Sequence, residues 1–186
     1  MKKRTLPDIL TPEEESRLLA VFNQRYPTSR RSRCMILLAL NTGMRVSDLL
    51  KLQWSDIELA TGRTHVKKGK GKKDRVLFIK PAILSDLVEM TQKMGRTREG
   101  LIFTTLAGEP IEDSYLRRMI ADRAQKAGIN KRVYFHLLRH TYLTRLYSQT
   151  KDLRLVQEVA GHEDIGTTQI YTHISGEDVR RAMLGL

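Results

Sequence analysis

Along most of the chain, apolar positions recur at intervals of three and four residues, and the elements follow from where that period starts and stops. "LTPEEESRLLAVF" opens a helix. Thr11 can cap it, Pro12 suits the first turn, Glu14 stands three residues after Thr11, and Leu18, Leu19 and Phe22 make its apolar face. A second helix is expected over "SRRSRCMILLALNTG", ending near Gly43. A third, "RVSDLLKLQWSDI", begins directly after it with Arg45 at the junction. The period then shortens: "ELATGRTHVKKGKGKKDRVLFIK" reads as short strands with turns at Thr61–Gly62 and Gly69–Gly71. Helical spacing returns from Pro81 to about Met94 and, after a short "LIFTT" segment, from Glu112 to Gly128, near Phe135 to Tyr147, and from Leu153 to Ala160. A short helix is expected over Thr167 to Tyr171 and a last one from Gly176 onward. The predicted fold class is α+β, mainly α-helical, with one small antiparallel β-sheet near residues 57–80.

A chain of 186 residues can bury one sizeable core, and no Pro/Ser/Gly-rich linker divides it. The expectation is a single domain over 1–186 with a C-terminal tail at about 175–186. Charge then narrows the partner. Lys and Arg total 33 against 21 acidic residues, a formal net charge of +12. Such an excess favours a polyanion through release of its counterions, with nucleic acid leading over anionic lipid or a basic surface without a ligand. The single cysteine, Cys34, lies in the apolar run "CMILLAL" and cannot form an internal disulfide, which points to a reducing compartment. "MKKRTLPDIL" has a basic front but no apolar stretch behind it, and no run approaches the roughly 18 apolar residues of a membrane span. A cytoplasmic, nucleoid-associated protein without a membrane partner is expected.

Candidate chemistry sits in four places. In "FHLLRHTYLTR", His136, Arg139 and His140 are spaced i, i+3 and i+4 and share one helix face, an arrangement suited to a phosphate, although a solvated face with one buried histidine has the same spacing. Arg45 in "NTGMRVSDLL" follows a glycine turn and can reach a cleft, or pair locally with Asp48 at i+3. "KKGKGKKDR" is a glycine-hinged lysine hairpin, or simply a charged, solvated turn; Lys67, Lys68, Lys72, Lys73 and Arg75, with His140, are the candidate DNA contacts. It is not a Walker A loop, because GxxxxGK[ST] is absent. Position 137 is Leu, so HExxH is absent too, and a metal site built from His136, His140 and His162 is disfavoured. Tyr171, one of six tyrosines, would by itself be a core residue.

The order of these groups adds more than any one of them. Arg45, a hairpin lysine, His136-x-x-Arg139, Gly161–His162 and Tyr171, carried by "TGMRVSDLL", "GKGKKDR", "HLLRHTYLT" and "GHEDIGTTQIYTH", resemble the catalytic signature of the tyrosine recombinase (phage integrase) family, in wording its Xer-type branch. The likeness runs from about Leu10 to His173. Members typically carry an N-terminal core-binding domain, and the chain begins where the catalytic domain of longer members begins, so that domain is expected to be absent, the chain being either an excised domain or a compact member of the family. Ala160 stands where Leu is frequent.

The resemblance implies site-specific DNA strand exchange. Arg45 and Arg139 would clamp the non-bridging phosphate oxygens, with His136 as a further donor. Lys70 would protonate the departing 5′ oxygen. Tyr171 would attack phosphorus to form a 3′-phosphotyrosyl bond, with His162 or His136 helping its proton leave. No metal, cofactor or ATP is implied. The implied partners are double-stranded DNA carrying a specific site, further copies of the chain in a four-protomer synapse, and accessory DNA-bending proteins. Two other readings use the same fold: a DNA-binding regulator without catalysis, and a type IB topoisomerase that relaxes DNA.

Overall fold

The computed structural model describes residues 8–67 and 74–161. The expected short helix at 167–171 and the tail beyond 176 lie outside them. Helix α1 (Pro12–Ala20) starts as its sequence requires: the Thr11 hydroxyl accepts from the Glu14 N–H at 3.2 Å and the Glu14 carboxylate accepts from the Thr11 N–H at 2.8 Å. Helix α2 (Pro27–Thr42) is the central element, with Met35, Ile36, Leu38 and Ala39 fully buried. It packs against α4 (Pro81–Lys93) and α6 (Phe135–Thr150). Lys131 and Arg145 fasten α1 to this body through Glu14 and Glu15, at 2.8 Å and 2.7 Å.

Helix α2 ends at Gly43, whose φ of +64° is costly for any residue with a side chain. A Cβ there would lie 2.7 Å from Cδ1 of Tyr142 on α6, so the turn also needs the space. The next helix is shorter than its sequence suggests. α3 covers only Val46–Lys51, followed by one 3-10 turn at Trp54–Asp56. Competition for backbone explains the break: Ile102 N–H donates to Leu52 O and Trp54 N–H to Gly100 O, both at 3.0 Å. Those bonds hold residues 52–54 extended beside the 100–102 segment.

The small antiparallel sheet stands where it was expected, as β1 (Arg63–Val66) and β2 (Arg75–Phe78), with His65 opposite Val76 and Ile57 bridged to Thr64. Thr64, Val66, Arg75 and Leu77 face inward. α5 (Asp113–Lys126) precedes α6, and α7 (Leu153–Ala160) packs against both α6 and β2. Leu143, Val156 and Ala160 form a second, smaller core under α7.

Candidate functional site

The site gathers where three helix ends meet. Arg45 is the N-cap residue of α3, two residues after Gly43, with extended backbone. Its Nη2 donates to the Gly161 carbonyl at 3.1 Å. Arg139 comes from the first turns of α6 and is 1% exposed. Its Nη1 donates to Gly43 O at 2.6 Å and its Nη2 to Ala160 O at 2.8 Å. The last carbonyls of a helix have no acceptor role inside it and carry the negative end of its dipole. Two guanidinium groups therefore bind the C-terminal ends of α2 and α7 together. Gly161 takes φ +61° and turns the chain out of α7 directly before His162.

His136 and His140 stand on the same face of α6, their rings edge to face with centroids 4.4 Å apart. Burial, then the charges of Arg139 and Arg45, hold the His136 imidazole below its usual pKa. Burial, then His136 and Arg139, push His140 down to about 4. Both rings are thus neutral near pH 7. Neutral His136 beside two guanidinium groups can donate one hydrogen bond and accept another without adding a third cation. His140 is 7% exposed and lies behind His136. A cavity of about 900 Å³ opens between α5 and the loop leading to α6, with Val46, Arg117, Arg132 and His136 on its wall.

Arg45, His136, Arg139 and His140 are thus brought together. The described part of the lysine hairpin lies at its two legs. Lys67 is paired with Asp56 at 2.5 Å, which raises its pKa through the hydrogen bond and the charge of that carboxylate. Arg75 is buried and paired with Asp48 at 2.7 Å. Lys68, Lys70, Lys72, Lys73, His162 and Tyr171 lie outside the described residues. The sequence spacing presents Asp48 as a local partner of Arg45, whereas its carboxylate binds the strand residue Arg75. The strand period was the available signal, because Arg75 alternates in register with Leu77 and Ile79 on the inward face. Among the described residues no group of three or more His, Cys, Asp or Glu is arranged to hold a metal ion, and no helix is long and apolar enough to cross a membrane.

Residues 8–177 match the phage integrase family. The chain is 37% identical over 183 residues to a tyrosine recombinase XerD of Staphylococcus saprophyticus and 35% identical over 183 residues to one of Staphylococcus aureus. Each alignment takes in 96% of this chain and 62% of the relative, so the chain spans about three fifths of the length of these curated relatives. The crystal structure of a XerA recombinase superposes with a TM-score of 0.82 at 30% identity, over 97% of this chain and 65% of that one. A XerH site-specific recombinase bound to palindromic difH substrate, in a post-cleavage complex, gives 0.81 at 30% identity, over 96% and 53%.

Proposed function

The chain belongs to the phage integrase family, and from that premise we propose that it carries out site-specific DNA recombination, cutting and rejoining strands through a 3′-phosphotyrosyl intermediate. The observation that carries this reading is the convergence of Arg45, His136 and Arg139 at the end of α7, one residue before His162. Three nitrogen-bearing side chains there suit a phosphodiester, whose non-bridging oxygens gain charge during attack. The similarity to a recombinase structure that holds its DNA substrate supports the same partner here.

In this reading the oxygen of Tyr171 bonds to phosphorus while the bond from phosphorus to the 5′ oxygen breaks. The phenolic proton passes to His162 or His136, and Lys70 gives a proton to the departing oxygen. Arg45 and Arg139 bear on the non-bridging oxygens. His136, held neutral until the anion arrives, donates to them as the charge builds. The phosphotyrosyl ester keeps the bond energy, so a 5′ hydroxyl from a second duplex reseals the strand without ATP. Strand exchange needs two duplexes and several protomers, which makes a DNA-bound assembly of four copies the fitting partner state, with DNA-bending proteins as accessories in the cytoplasm.

Duplexes trapped from a randomised library supply the site. Placed on two plasmids, that site should recombine in EDTA without ATP. Relaxation of supercoiled plasmid with no exchange would contradict the recombinase reading and favour a topoisomerase. Tight binding with neither reaction would favour a regulator.

A further inference from the structure

Where the chain enters α6, its residues alternate as on a strand. Val133, Phe135 and Leu137 are buried, whereas Arg132, Tyr134 and His136 reach the surface. Tyr134 is the N-cap residue of α6, with φ −154° and ψ 161°, and its side chain makes no capping hydrogen bond. A single exposed aromatic ring is ordinary on a protein surface. This one is 39% exposed and carries the Arg132 guanidinium 5.8 Å from its centroid, within cation–π range. Arg132 and Tyr134 line the same cavity as His136. Two other cations on that wall are engaged: Arg117 pairs with Asp113 at 3.0 Å and Lys131 with Glu14 at 2.8 Å. Among the described residues Arg132 makes no ion pair, so its charge is available to an anion.

We propose that Arg132 binds the phosphate next to the cleaved one on the same strand, and that Tyr134 lays its ring against the deoxyribose between them. This rests on the reading of Arg45, His136 and Arg139 as the phosphate site. Two residues of extended chain cover about 6.6 Å, a step of the same order as that between successive phosphates of a strand. With His136 on the cleaved phosphate, the alternation puts Tyr134 over the intervening sugar and Arg132 one phosphate further along. A guanidinium offers a planar fork to two phosphate oxygens, and stacking on one face of the Tyr134 ring holds that fork in place. The other face of the ring is left for the sugar. Such a contact fixes the register of the strand without reading its bases. The pair therefore sets which phosphodiester is presented to Arg45 and Arg139.

The test uses the duplex obtained by trapping, remade with one neutral methylphosphonate at either of the two phosphates flanking the cleaved one. In the parent, one of these replacements should weaken binding about tenfold, the usual worth of a charge-assisted hydrogen bond. Arg132→Ala should lose about the same factor on the unmodified duplex, with a salt dependence smaller by about one released counterion. On the methylphosphonate duplex that variant should lose nothing further. Tyr134→Ala should bind a few-fold more weakly than the parent, and Tyr134→Phe, which keeps the ring, should match it. A full additional loss of Arg132→Ala on the methylphosphonate duplex, or an unchanged salt dependence, would overturn the phosphate contact. Equal weakening in Tyr134→Phe and Tyr134→Ala, or none in either, would overturn the packing of the ring on the sugar. Covalent adducts are scored in the same samples. Adducts from the parent with binding unaltered in Arg132→Ala would overturn this contact and leave the recombinase reading standing, whereas no adduct from the parent on the unmodified duplex would overturn both.

Discussion

Arg45 and Arg139 donate to consecutive backbone carbonyls, Gly161 at 3.1 Å and Ala160 at 2.8 Å. The end of α7 is thus held by the same two side chains that the proposed chemistry places on phosphate. Under that proposal, site assembly and phosphate binding would share the same two guanidinium groups.

Arg139→Ala should lower stability as well as activity. It removes charge-assisted bonds to Gly43 O and Ala160 O and leaves both carbonyls short of donors. A cost of about 3 kcal/mol follows, a fall in Tm of roughly 6–12 °C for a chain of this size. Arg139→Lys retains the charge but cannot span both carbonyls, so its melting curve, followed by circular dichroism, should stay below the parent's. A Tm unchanged in both variants would show that the bridge does not hold the helix ends.

Gly43→Ala should be costly for two separable reasons. The φ of +64° costs a side-chain-bearing residue about 1–2 kcal/mol. The added Cβ would also stand 2.7 Å from Tyr142 Cδ1. In a double-mutant cycle with Tyr142→Ala, read from urea midpoints, the contact cost should vanish and the backbone cost remain. Simple additivity of the two substitutions would refute the close approach.

Stability should fall as the solution is acidified below neutrality. His140 is held down to about 4 in the fold, by burial first and then by His136 and Arg139, against about 6.5 for a free imidazole. Between those values the unfolded chain binds more protons than the folded one, so stability rises with pH across this window and levels off above about 6.5. His136, also lowered by burial and by Arg139 and Arg45, adds in the same direction. Urea midpoints taken at about pH 7 and about pH 5 should differ less in His140→Phe than in the parent. An equal difference would place the titration elsewhere.

Local rules made much of this fold readable. The Thr11–Glu14 cap, the glycine stop at Gly43 and the period-two strands each depend on residues a few positions apart, and each stands as the sequence suggests. The third helix ran short because Gly100 and Ile102, distant in sequence, take the backbone partners of Leu52 and Trp54. The site divides the same way. Helical spacing alone puts His136, Arg139 and His140 on one face. It does not reveal that Arg139 is buried against two helix ends, or that His140 stands behind His136. Arg75 carries both signals, a charge in a basic hairpin and an inward strand position, and its buried pair with Asp48 follows the second.

The most direct test of the account is covalent trapping on a nicked duplex, denatured in SDS, with Tyr171→Phe beside the parent. The parent should give a protein–DNA adduct, with the trapped peptide carrying phosphate on Tyr171, and the variant none. An adduct of equal yield from Tyr171→Phe would contradict it, since the bond to phosphorus would then be made by another residue.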